Sequence, residues 1–180
     1  MLLKSSPLGV LLPRLFVLCL VFHAAAFASP SEALRPFKTN GCTGFWNGPP
    51  SRPEQWRHCC VVHDLYFWAG GAKRYRKSVD QKLRDCIQAT GHEGTAWLMY
   101  WGVRIGSWSP LKIKGEQWGN GWLDGRERFS PLRPDDLDTI KKMIEDHPSP
   151  ELSAEALSGF YRDLERQIQE SLERSDSRIR

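Results

Sequence analysis

The run His58-Cys59-Cys60-Val61-Val62-His63-Asp64, with Asp80 and Cys86 on the following segment, holds side chains suited to hydrolysis. Histidine titrates near neutrality and can take a proton from water as a general base. Adjacent helical residues point about 100° apart, so His63 and Asp64 must serve different functions. A general base needs a carboxylate on its far nitrogen to fix the tautomer, and Asp80 on the next helix can supply one. Asp64 is then available for a hard cation such as Ca2+, whose oxygen ligands often include backbone carbonyls of a tight loop. Such a cation polarises an ester carbonyl and stabilises the oxyanion while activated water attacks.

Two helices must position these groups. Trp56, Cys59, Cys60, His63 and Phe67 follow the spacing of one helical face, with Pro53 suited to the first turn and Gly70-Gly71 as the stop. A second helix is predicted from about Lys73 to Thr90, ending at Gly91, with a later start at Ser78 as the alternative. Its apolar face is Val79, Leu83, Cys86, Ile87 and Thr90, and Asp80 lies along it. A carboxylate there is costly unless something pairs with it. A short turn makes the two helices antiparallel, and a bond from Cys59 or Cys60 to Cys86 would staple them.

Around this pair the chain reads as mainly α. Pro30 to Lys38 is expected to be a loose leader, and Asn40 to Pro50 a cysteine-held loop. Gly94 to Trp108 fits either a helix or a short hairpin. Helices are predicted over 134–146 and 149–173, the latter capped by Ser149-Pro150-Glu151 and burying Leu157, Phe160, Leu164, Ile168 and Leu172.

Residues 1–28 read as a cleavable secretory signal. Lys4 and Arg14 are their only charges, the apolar run starts at Leu15, and Ala26-Phe27-Ala28 offers a cleavage site before Ser29. The run is shorter than the roughly 20 apolar residues a span needs. The remaining 152 residues carry 23 Lys and Arg against 21 acids, a balance that argues against nucleic acid as the main partner. They keep four cysteines, an even set that reads as two disulfides in an exported chain. Cys59 and Cys60 are neighbours, so they pair with Cys42 and Cys86 in one order or the other. A Cys42–Cys60 bond would bring the loop to Asp64.

Cys59-Cys60-x-x-His63-Asp64 resembles the active-site helix of secreted phospholipase A2 enzymes, in the manner of divergent bacterial members. Cys42 stands where their calcium-loop cysteine stands, and Asp80 keeps the spacing of their second catalytic Asp to Cys86. The resemblance covers roughly residues 40–90. It implies calcium-assisted hydrolysis of the sn-2 ester of a glycerophospholipid, with His63 as base, Asp80 as its orienting partner and Asp64 as the calcium carboxylate. Backbone carbonyls of Gly41, Thr43 and Phe45 would complete the calcium site, and the Thr43 amide would face the oxyanion. Two places depart from the pattern. Thr43 and Phe45 stand where the loop usually has glycines, and Phe67 stands where a Tyr usually hydrogen-bonds the second Asp. The implied division is a signal over 1–28, a phospholipase A2-like domain over 29–127 and a helical C-terminal extension over 128–180.

Other readings compete. A zinc site could use Cys59, Cys60, His63 and Cys86 or His92, although adjacent cysteines do not match usual ligand spacing and export favours oxidation. Trp118 and Trp122 are candidates for an exposed, membrane-facing pair, with packing within the loop as an equal alternative. Lys73, Arg74, Arg76 and Lys77 read as a solvated helix face or an attraction for anionic head groups. The 149–173 helix could meet a protein partner. A secreted lipid- or protein-binding module on the same scaffold is the alternative to an enzyme.

Overall fold

The computed structural model describes residues 33–106, 117–123 and 126–179, so the expected signal at 1–28 lies outside the described residues. The protein is mainly helical: α1 is Arg57–Ala69, α2 Lys73–Ala89, α3 Glu93–Gly106, α4 Pro134–Asp146 and α5 Ala154–Ile179, with no strand among the described residues. No described helix is long and apolar enough to cross a membrane.

α1 begins later than Pro53. Successive tight turns carry the chain to it: Arg52 N–H donates to Pro49 O at 2.8 Å and Gln55 N–H to Arg52 O at 3.1 Å. Trp56 then donates from its backbone to Asn47 O and from its indole to Trp46 O, at 2.8 and 2.6 Å. These bonds commit residues 47–56 to a loop before the helix can start. At the other end Gly70 has φ +74°, and a Cβ there would lie 2.7 Å from the Cα of Gly119. Only glycine meets both demands.

The turn at 117–122 closes the C-terminus of α1, where a helix leaves carbonyls unsatisfied. Gly119 and Gly121 donate their N–H groups to Phe67 O and Trp68 O at 2.6 and 3.1 Å. The indoles of Trp122 and Trp118 donate to Ala69 O and Gly71 O at 2.8 and 2.6 Å. Both tryptophans are therefore buried, which decides for loop packing over exposure. The same turn holds the supposed loose leader: Leu34 bridges to Trp122, and Leu34 and Phe37 enter the core.

α3 settles the choice for Gly94 to Trp108 as far as residue 106, in favour of helix. Ala96, Met99 and Tyr100, at helical spacing, are buried, and α2 and α3 are closely packed. The opposite face exposes Trp97, Leu98, Trp101 and Ile105. α4 starts at Pro134, where a missing N–H costs nothing, and Asp136 accepts the Arg133 N–H at 2.7 Å. Arg126 grips the same carboxylate at 2.8 and 3.0 Å. Burial works to raise the Asp136 carboxyl, but the hydrogen bonds from Arg126 and Arg133 hold it below the usual range.

α5 begins at Ala154 rather than Ser149, because Ser153 accepts the Ala156 N–H at 3.1 Å and so caps the helix. Ser149 instead anchors the preceding turn, accepting Leu152 N–H at 3.2 Å. Phe160, Leu164 and Ile168 join Val61, Leu65 and Trp68 in the larger of two apolar cores. Leu172 is exposed, correcting its expected place on the inward face.

Candidate active site

The smaller core gathers Cys42, Trp56, Cys59, Cys60, Leu83, Ile87, Ala96 and Met99 around two disulfides, Cys42–Cys60 and Cys59–Cys86. Neighbouring cysteines on α1 thus face two ways, one toward the loop and one toward α2. Loop closure of this size stabilises a fold by roughly 3 kcal/mol per bond. Such bonds belong to an oxidising environment.

One turn beyond the cysteines, His63 Nε2 lies 3.0 Å from Asp80 Oδ1, with both residues buried. A carboxylate only accepts, so the tautomer that satisfies this contact carries its proton on Nε2 and its lone pair on Nδ1. The imidazole packs on Phe67 with ring centroids 4.4 Å apart, and Phe67 in turn meets Trp118 edge-on at 5.2 Å. His63 and Asp80 are therefore brought together as expected.

Asp80 has no exposed surface, and its second oxygen finds partners that sequence reasoning missed. Arg104 Nη1 on α3 donates to Oδ2 at 2.9 Å, and Arg76 Nε on α2 lies 3.8 Å away. Arg76 is itself buried, correcting its assignment to a solvated face. Burial works to lower its guanidinium while the Asp80 charge works to raise it, and the net shift is downward. The four-residue step from Arg76 to Asp80 was a signal for the first pair. Nothing in the sequence pointed to Arg104, since its helix was undecided.

Asp64, next to His63, accepts the Thr39 hydroxyl at 2.6 Å on Oδ2. The same hydroxyl accepts the Gly41 N–H at 3.1 Å, so Thr39 couples the loop to the carboxylate. Within the loop, Asn47 Oδ1 accepts Cys42 N–H at 2.9 Å and Cys42 O accepts Phe45 N–H at 3.0 Å. Arg57 bonds Asn40 O at 3.3 Å and pairs bidentately with Glu151 at 2.9 and 3.0 Å. The Asp64 carboxylate and the Thr39 hydroxyl offer oxygen atoms beside the tethered loop, the donor type a hard cation takes. Gly41, Thr43 and Phe45 lie on that tethered loop.

The zinc reading meets a different arrangement. Cys42, Cys59, Cys60 and Cys86 are consumed in disulfides, which leaves no thiolate. His92 Nδ1 is engaged with Thr90, at 3.0 Å from its carbonyl, and its ring packs against Trp56. Among the described residues one His/Cys group gathers, His58 with Cys59 and Cys86, and the imidazole nitrogen lies 3.4 and 3.5 Å from the bonded sulfurs.

No protein-family model, curated protein or solved structure matches this chain. The functional reading therefore rests on the site itself.

Between the loop and α3 lies an open groove of about 610 Å³, lined among others by Phe45, Trp46, Pro49, Pro53, Trp56 and Leu98. Its walls are mainly apolar, as sites for small or lipid-like ligands tend to be.

Proposed function

We propose that the protein is a calcium-assisted hydrolase of glycerophospholipid esters, acting in the manner of a phospholipase A2. The observation that carries this reading is the buried His63–Asp80 pair at 3.0 Å, with Asp64 as the next residue on the same helix. A base oriented by a carboxylate, beside a second carboxylate tied to a loop, supports a reading of water activation. α1 and α2 are read as antiparallel, since Cys59 meets Cys86 and His63 meets Asp80, in reversed chain order.

In this reading His63 Nδ1 takes a proton from water as the oxygen bonds to the ester carbonyl carbon. Asp80 holds the Nε2 proton and stabilises the imidazolium that forms. The ester C–O bond then breaks, and the proton on Nδ1 passes to the leaving alkoxide. Asp64 and the carbonyls of Gly41, Thr43 and Phe45 would hold calcium, with the Thr43 amide as oxyanion donor. When bound, the ion supplies Lewis-acid polarisation of the ester carbonyl. The exposed Trp97, Leu98, Trp101 and Ile105 support contact with acyl chains, while the apolar groove is lined by none of His63, Asp64 and Asp80. Those same exposed residues also support the alternative of a non-catalytic lipid- or protein-binding module, with α5 available to a protein partner.

Fatty-acid release from mixed phospholipid vesicles, with calcium and then with chelator, separates the two. Release that disappears with chelator is the expected result. Absence of release from folded, oxidised protein under both conditions would leave the binding module.

A further inference from the structure

Asp80 has no exposed surface and two oxygens to satisfy, and His63 occupies one of them. The two aromatic residues one turn beyond His63, Tyr66 and Phe67, do not serve the other. Phe67 has no donor, and Tyr66 gives its hydroxyl to Asp163 on α5. Arg104 serves Oδ2 instead, from the last turn of α3, with a charge-assisted bond at 2.9 Å. Arg76 stands further off at 3.8 Å, on the helix that carries Asp80 itself.

We infer that Arg104 is the positioning residue of the His63–Asp80 pair, resting on the hydrolase reading for its catalytic consequence. The physical argument concerns direction. Arg76 and Arg104 approach the same oxygen from different helices, so the carboxylate plane is held between them. Oδ1 is thereby kept toward His63 Nε2, and the imidazole is kept in the tautomer whose Nδ1 lone pair is available. Removing Arg104 leaves Arg76 to draw Oδ2 along the α2 axis, which turns Oδ1 away from the ring. One N–H of the guanidinium serves Oδ2, so a lysine ammonium should replace it in part. The contact also makes the docking of α3 a condition for an ordered pair.

The test uses the full, oxidised chain carrying Arg104→Leu, with Arg104→Lys as the conservative variant. Long-range 1H–15N correlation at one fixed pH reads the His63 tautomer without substrate. Wild type is expected to show a protonated Nε2 and a bare Nδ1; Arg104→Leu is expected to show a tautomer mixture, partly restored by lysine. With phospholipid substrate, kcat should fall about 100-fold in Arg104→Leu while KM changes less than about twofold. An unchanged tautomer in Arg104→Leu overturns the inference, whatever happens to kcat. A changed tautomer in a protein without esterase activity supports positioning and removes the hydrolase reading instead. If leucine prevents folding, Arg104→Gln keeps the stem without the charge, and the same two outcomes decide.

Discussion

The Tyr66 phenol on α1 donates its hydrogen bond to Asp163 on α5, 97 residues away in sequence, and not to Asp80 on the neighbouring helix. Lys82 of α2 closes an ion pair on the same carboxylate. The C-terminal helix is thus fastened to both helices that carry the candidate site. Burial, followed by the Asp163 bond and charge, pushes the Tyr66 hydroxyl well above its ordinary range. Burial works to raise Asp163, but its bonds to Lys82 and Tyr66 hold it low.

Asp163→Asn should therefore destabilise the protein by about 1–3 kcal/mol, since it leaves Lys82 and Tyr66 with a weaker acceptor. Urea unfolding at neutral pH measures this, and a midpoint equal to wild type would remove the clamp from the account.

The pH dependence of stability has two limbs. Asp136 and Asp163 have depressed values, so their contribution is present above the ordinary carboxyl value of 3.8 and is lost as pH falls through the folded values. Tyr66 is raised, so its contribution is full below 10.0 and is lost as pH rises from there through its folded value. Thermal midpoints across pH 2–11 should show both limbs in wild type, with the acid limb shallower in Asp163→Asn. An acid limb of equal depth in the variant would count against the assignment.

His63→Gln should abolish fatty-acid release while the helical circular dichroism stays native, because glutamine keeps similar size and polarity. The loss expected for a missing general base is at least about 100-fold. Activity near wild type would sink the base assignment. Asp64→Asn should remove calcium binding in calorimetric titration, and an unchanged isotherm would refute Asp64 as the ligand.

Replacing Cys59 and Cys86 together by alanine and serine should lower stability by roughly 3 kcal/mol and loosen α2 from α1. Hydrogen exchange would then accelerate in α2 more than in α4, which stands in the other core. Uniform acceleration would mean that the bond stabilises the whole fold without selecting α2.

Gly70→Ala should destabilise the chain by more than about 1 kcal/mol, through its positive φ and the 2.7 Å approach to Gly119. Thermal unfolding tests this, and a neutral effect would show that the 117–122 turn can move away from the end of α1.

Local signals carried much of the architecture. The spacing of Val79, Leu83 and Ile87, with Gly91 beyond, marked the end of α2 to within a residue, and of its two expected starts the structure takes Lys73 over Ser78. The helix predicted over 134–146 matches α4, and Pro134 and Asp136 supply its end chemistry. These features depend on periodicity and end chemistry within a few residues, which is why they were legible. The meeting of His63 with Asp80 could also be anticipated, because a short turn forces adjacent helices to pack.

What the order of residues left open was settled by contacts between distant segments. The cysteine pairing required the loop and α2 to approach α1 from different sides. Trp118 and Trp122 could be exposed or packed, and carbonyls at and beyond the end of α1 decided it by accepting their indoles. Arg104 became a partner of Asp80 only because α3 folds back on α2. A buried carboxylate demands a donor for each oxygen, and sequence shows the demand; which side chain answers it depends on three-dimensional packing.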